Sequence, residues 1–353
     1  EAGPWRGRKP ASFGFRRGGL VARGLVARGL HPPRHSAADS DSAVTQSFDV
    51  DIEFLDASGD GIARIGRRRV AIPFTIPGER VRVQLQPSGG GAAVARLDTI
   101  LRPSPHRVAS RCRHFGPDAD PGAGPCGGCA WQHIAYPEQL RLKAEIVTHL
   151  VRNAVPHAPE ARPTIPGAPP EDPWGYRHKV HFVLGSAHPR SPSSRSPGVL
   201  VMGHYVRGSR RVIPVHECPV HDQRGNEVAF VFRNEYIRAN VGAAPQGPLK
   251  GLAIRVGLGS AELMATLVVS RDDDRDVRRA TRRILDRPGA PSSFHVNVHP
   301  QPDAFVFGPY TRRIAGPERL GEEVAGVSFL ISPDAFFQTN VRAAEILVHL
   351  VLD

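Results

Sequence analysis

Two of this chain's four cysteines stand three positions apart in "PCGGCAWQH", as Cys126 and Cys129 with two glycines between them. A C-x-x-C turn brings two thiolates to one side, and glycine lets the backbone turn tightly enough to do so. A metal ion or a cluster held there needs two more ligands, and two cysteines remain: Cys112, beside "RHFG", and Cys218, in "HECPVHD". Zinc usually takes two C-x-x-C knuckles, and the chain has one. One pair plus two singletons suits a four-iron cluster better, with zinc and ordinary buried thiols as the alternatives. Two H-x-x-x-H spacings, His31/His35 and His295/His299, lie among prolines and in a strand-like run, so they are read as surface or structural imidazoles.

At 353 residues the chain has enough length for two or three domains and a core that needs no disulfides. It shows no long apolar run, and its start is too rich in arginine and glycine for a secretory signal. A cytoplasmic monomer with no membrane partner is expected, a setting in which cysteines point to metal or redox chemistry. The formal charge of +12 makes a polyanion, above all nucleic acid, the natural partner. Residues 1–47 hold eight Arg/Lys against three Asp/Glu and repeat "GLVARGLVARGL", so a disordered basic tail is expected there.

The elements that must position the cysteines follow. From Phe48, Val/Ile runs separated by Gly59-Asp60-Gly61, Gly66, Pro77-Gly78 and Gly89–Gly91 predict a small OB-like five-stranded β-barrel over 48–104. Arg64, Arg67, Arg68 and Arg69 cluster at one of its hairpins, as RNA-phosphate contacts or as a solvated charge run. After the C-G-G-C, "YPEQLRLKAEIVTHLVRNAV" places Leu140, Ala144, Val147, Val151 and Ala154 at helical spacing, predicting an amphipathic helix over 137–155. A Pro-rich linker spans 156–173. Strands are expected in "YRHKVHFVLG", "GVLVMGHYVRGSRRVIPV", Leu252–Gly257, Glu262–Ser270 and "SSFHVNVHP", with a flexible insertion at His188–Gly198. A helix near Asp272–Asp286 and a last one at Asn340–Leu352 complete an α+β, multidomain pattern.

Blocks along this order resemble a known family. "SPHRVASRC", "PCGGCAWQHIAYPEQLRLK", "YRHKVHF", "GHYVRGSRRVIPVHECPV" and "SPDAFFQTNVRAAEIL", behind a barrel with "GDGIAR" and "IPGERV", resemble the TRAM-domain uracil-5 RNA methyltransferases, which make 5-methyluridine in ribosomal or transfer RNA. The resemblance covers roughly residues 48–353 and implies S-adenosylmethionine as cofactor, structured RNA (rRNA or tRNA) as partner, and a [4Fe-4S] cluster on Cys112, Cys126, Cys129 and Cys218. The family commonly has about five residues between its first two cysteines; here "RHFGPDADPGAGP" intervenes. Gln338 matches the glutamine that touches the cofactor, and Phe336 the phenylalanine near the target base. Arg177 and Lys179 match RNA-facing positions of a "Y-R-N-K" block in which His178 replaces asparagine.

The implied layout is a TRAM barrel over 48–104, a cluster-bearing α+β region over 105–335, and the start of a Rossmann-like methyltransferase domain over 336–353, with the 137–155 helix packing on that domain. C5 methylation needs a nucleophile at C6, usually a thiolate, and a base for the C5 proton. With all four cysteines assigned to the cluster and no cofactor loop found before Asp353, the chain alone is expected to be inactive. A non-catalytic iron-sulfur RNA-binding module is the alternative.

Overall fold

In the computed structural model, which describes residues 46–86, 94–119, 124–169, 171–187, 199–301 and 306–353, the first Val/Ile runs become six short strands. They are β1 (Gln46–Asp51), β2 (Phe54–Leu55), β3 (Gly61–Ile65), β4 (Arg68–Ile72), β5 (Arg80–Gln86) and β6 (Val94–Arg102). Two antiparallel three-stranded sheets result, ordered β1-β5-β6 and β2-β3-β4. In β5 the alternation is clean: Val81 and Val83 are buried, while Arg80 and Arg82 face out and pair with Asp51 and Asp49 on β1. The inward residues Val50, Ile52, Ala63, Ile72 and Leu97 share one core with them.

In place of the expected single five-stranded barrel, six strands form two sheets around one core. Ile52 turns its N–H to the Glu79 carbonyl (2.9 Å) while Glu53 returns to Ile62 (2.8 Å), and the break divides one long strand into β1 and β2. The barrel also begins at Gln46, two residues before the expected boundary. Most of the expected basic tail, the Gly89–Gly91 turn and the His188–Gly198 insertion lie outside the described residues.

Helix α1 (Tyr136–Ala154) opens on Pro137, whose missing N–H costs nothing in the first turn. The helix turns Leu142 inward, while most of the stripe expected to pack on the methyltransferase domain lies outside the core that Leu142 joins. Gln139 ties its amide to the carbonyls of Trp131 and Ile134, fixing the helix's rotation so that Leu142 enters a cluster with Leu55, Ile76 and Ile134. Val147, Leu150 and Val151 are left exposed.

The rest is a seven-stranded sheet. Its strands are β7 (Lys179–Ser186), β8 (Leu200–Tyr205), β9 (Val212–Pro214), β10 (Leu249–Val256), β11 (Leu263–Val269), β12 (Ser293–Val298) and β13 (Tyr310–Ala315), in the order β13-β12-β11-β10-β7-β8-β9. Every pairing is antiparallel except β11 with β12, which α3 (Arg275–Leu285) connects. Helix α2 (Gln223–Arg238), which sequence periodicity did not reveal, buries Val228, Ala229, Phe232 and Tyr236 with Phe182, Leu252, Ala280 and Phe294. A hairpin of β14 (Leu320–Val324) and β15 (Val327–Ile331) follows, then α4 (Val341–Leu352), capped by the Asn340 side chain on the Ala343 N–H (3.0 Å). No helix among the described residues is long and apolar enough to cross a membrane.

Candidate functional site

The C-G-G-C turn is stitched to the β8–β9 hairpin by backbone hydrogen bonds. Gly127 N–H donates to the Tyr205 carbonyl (2.9 Å) and Arg207 N–H to the Pro125 carbonyl (3.0 Å), while Cys126 N–H reaches the His114 carbonyl (2.8 Å). A Cβ at Gly127 would stand 3.0 Å from the Tyr205 oxygen, so only glycine lets the strands come this close. Cys112 is held by its own N–H to the Gln132 side chain (3.2 Å), and Gln132 also takes the Ser110 hydroxyl (3.0 Å). Cys218 precedes α2, its carbonyl accepting from the His221 N–H (3.0 Å) and the Asn226 amide (3.0 Å).

These segments converge. Cys112, Cys126, Cys129 and Cys218 line one cavity of about 230 Å³, with Arg177, Lys179, His204 and Glu217 also in its wall. All four cysteines are free thiols. Burial raises the Cys112 and Cys126 thiols above their ordinary range and pushes Cys218 up to about 12. Among the described residues no group of three or more His, Cys, Asp or Glu side chains is placed to hold a single metal ion. What the four thiols share is the wall of this cavity. Two cations, Arg177 and Lys179, stand against one carboxylate, Glu217, in that wall.

The other predicted residues fall into separate places. Arg67, Arg68 and Arg69 are exposed on the β3–β4 hairpin; Arg64 is engaged with Glu53 (3.1 Å), and Arg69 lies over the Phe54 ring (5.7 Å). Arg177 and Lys179, expected to face RNA, are half-buried at the thiol cavity. Lys179 donates to the Ala335 carbonyl (3.4 Å), and burial together with Arg255 lowers its ammonium to about 8. Arg255, which sequence reasoning missed because it sits inside an otherwise apolar strand, donates to the same carbonyl (2.9 Å). Just beyond that carbonyl, Phe336 is 85 % exposed, Gln338 is exposed, and Phe337 packs with Met264, Leu320 and Ile331. His178, in the asparagine position, is buried: its N–H donates to the Thr339 carbonyl (2.7 Å), and its Nδ1 stands 3.4 Å from the Val341 N–H.

Residues 48–106 match the model of the tRNA (uracil(54)-C(5))-methyltransferase TRAM domain. An uncharacterized RNA methyltransferase of Nostoc sp. is 31% identical over 315 residues, 86% of this chain and 63% of that protein. One of Gloeobacter violaceus is 32% identical over 317 residues, covering 87% and 64%. Residues 48–106 thus carry the TRAM-domain match, and most of the chain is similar to proteins named RNA methyltransferases. The chain spans somewhat less than two thirds of the length of these relatives. The crystal structure of Pyrococcus abyssi tRNA (uracil-54, C5)-methyltransferase in complex with S-adenosyl-L-homocysteine shares the fold, with a TM-score of 0.60 at 19% identity over 86% of this chain and 64% of that one. The TRAM match ends six residues before Cys112; Cys112, Cys126 and Cys129 lie between β6 and β7, and Cys218 lies beyond β9.

Proposed function

We propose that this chain is the RNA-binding and cluster-bearing part of an S-adenosylmethionine-dependent RNA uracil-C5 methyltransferase, which forms 5-methyluridine in transfer or ribosomal RNA. The observation that carries the reading is the convergence of Cys112, Cys126, Cys129 and Cys218 on one cavity, behind a barrel that matches a tRNA-methyltransferase TRAM domain. The solved relative acts on tRNA, which favours tRNA over rRNA.

In this reading the four cysteines hold a [4Fe-4S] cluster, which when bound supplies a compact anionic cross-link and one-electron chemistry. Arg177 and Lys179 offset its charge, and Arg67, Arg68 and Arg69 bind RNA phosphates. Lys179 and Arg255 fix the Ala335 carbonyl and so hold the segment from which Phe336 meets the target base and Gln338 the cofactor. C5 transfer needs a nucleophile on C6. Every cysteine of the chain lines the cluster cavity, which leaves none to attack C6, so these residues bind RNA without moving the methyl group themselves.

The test combines three measurements on anaerobically purified protein: iron and sulfide content, affinity for unmodified tRNA and rRNA, and transfer from labelled S-adenosylmethionine. About four irons per chain, salt-dependent RNA binding and no labelled 5-methyluridine are expected. Stoichiometric zinc without sulfide overturns the cluster, and labelled product overturns the inactivity. If product is also lacking when the chain is joined to the remaining C-terminal part of the Nostoc relative, the non-catalytic iron-sulfur RNA-binding module becomes the better reading.

A further inference from the structure

A second, larger cleft of about 750 Å³ shares Gly128, Cys129 and Gln132 with the thiol cavity. That volume is within the range of small-molecule and cofactor sites. Its wall is aromatic and basic: Trp131, Tyr136, Trp174 and Tyr176 line it together with Arg111 and Lys143. The Arg111 guanidinium lies 5.5 Å from the centre of the Trp174 ring, and the Lys143 ammonium 6.0 Å from that of Trp131. Polar edges accompany the flat faces. The Gln132 amide NH₂, the Trp174 indole N–H and the hydroxyls of Tyr136 and Tyr176 have no hydrogen-bond partner among the described residues. Phe336 and Gln338, proposed at the target base and the cofactor, do not line this cleft.

Planar rings with cations beside them, and donors left unpaired at the edges, match a ligand that is itself planar, carries hydrogen-bonding edges and is attached to a phosphate. A nucleotide whose base has left its stack is such a ligand, and RNA is read chiefly through unstacked bases on aromatic side chains. We propose that this cleft takes an unpaired nucleotide of the RNA substrate other than the target uridine, its base against Trp174 and its phosphate near Lys143. The inference rests on the RNA-binding reading above and adds to it a place where the unpaired part of the substrate is recognised. It also puts the bound nucleotide against the wall that carries Cys129, which lines both the cleft and the thiol cavity.

The experiment uses the anaerobically purified chain, with single-stranded and fully duplex oligoribonucleotides as probes. Only three tryptophans are present, Trp5, Trp131 and Trp174, so quenching of indole fluorescence can be assigned with Trp174→Phe and Trp5→Phe. Single-stranded RNA is expected to quench the wild-type signal and to lose most of that quenching in Trp174→Phe, with affinity largely kept because a phenyl face remains. Trp174→Ala is expected to weaken single-strand binding roughly tenfold or more, and Lys143→Ala to weaken it and lower its salt dependence. An unchanged visible spectrum and far-UV signal in each variant separate these losses from misfolding. A photoreactive 5-bromouridine in the oligomer should cross-link to Trp174 or Tyr176. If RNA binds but Trp174→Ala and Lys143→Ala are both without effect, or if duplex binds as tightly as single strand, the cleft is not a nucleotide site while the RNA-binding reading stands. If no RNA binds at all, both fall.

Discussion

Arg207 and Asp60 join the hairpin that carries the C-G-G-C turn to the barrel: the guanidinium meets both carboxylate oxygens of Asp60, at 2.6 and 2.8 Å. The same guanidinium lies 5.7 Å from the Phe74 ring, and the Arg207 N–H holds Pro125. Burial raises the Asp60 carboxyl despite the arginine, so loss of Arg207 would leave a partly buried carboxylate unpaired. Arg207→Ala should therefore destabilise the protein by about 2 kcal/mol and lower the melting temperature by a few degrees. Asp60→Asn, which keeps hydrogen bonding without the charge, should cost less. Equal melting temperatures for wild type and Arg207→Ala would show that the barrel is held by apolar packing alone.

The two glycines between the paired cysteines are predicted to differ. An alanine at Gly127 would press on the Tyr205 carbonyl at 3.0 Å and on the Arg207 backbone at 3.3 Å, neither of which is a flexible side-chain tip. At Gly128 the nearest atom is the Cys126 sulfur at 3.5 Å, an ordinary contact. Gly127→Ala should cost roughly 1–3 kcal/mol and reduce iron retained on purification, while Gly128→Ala keeps both near wild type. Iron content and thermal melts measured side by side decide it, and equal losses in the two variants would refute the crowding argument.

Much of this was legible in the sequence where burial alternates or a terminus is capped. The strands of the barrel and of β7, β10, β11 and β12 follow from Val/Ile runs, and α3 and α4 from Asp274 and Asn340 standing before periodic apolar residues. Helix α2 was not legible. Its first turn holds Gly225 and Asn226, and Phe230, Val231 and Phe232 favour a strand, so its helicity comes from packing Phe232 and Tyr236 against the sheet and α3. The rotation of α1 was hidden too, because Leu140 and Leu142 offer two apolar stripes and only the Gln139 bonds choose between them. The four cysteines could be named from their spacing. That Cys218 comes to the same cavity as Cys112 is a tertiary fact that no local pattern contains.

At the β3–β4 hairpin the structure separates four arginines that look alike in sequence. Arg64 is already paired with Glu53, and Arg67, Arg68 and Arg69 extend from the turn at Gly66. Neutralising the last three to glutamine should weaken RNA binding and reduce the slope of log affinity against log salt by up to about two to three units, near one for each phosphate no longer neutralised. Arg64→Gln should change the slope little. A slope untouched by the triple substitution would leave the hairpin as a solvated charged surface.

His133 gives the protein an acid limit. Its ring lies between Phe115, at 5.6 Å, and Phe74, at 6.5 Å, with one nitrogen 3.4 Å from the Thr75 carbonyl. Burial, reinforced by Arg107, lowers its imidazole from 6.5 to about 4. The unfolded chain therefore takes up this proton as pH falls through 6.5, whereas the folded protein refuses it until about 4. The stability contribution is complete above 6.5 and is lost between there and about 4, up to roughly 3 kcal/mol for this one group. Burial likewise lowers His181, His204 and His221 to about 4 and acts in the same direction on His178 and His295, so the wild-type slope of stability against pH is a sum over at least these six rings. His133→Gln should be less stable at pH 7.5 yet lose stability more slowly on acidification, since one of the contributing rings is gone. Urea melts at half-unit steps from about pH 7.5 to 4.5 measure this, and a variant whose slope matches the wild type would show that His133 is protonated in the folded state.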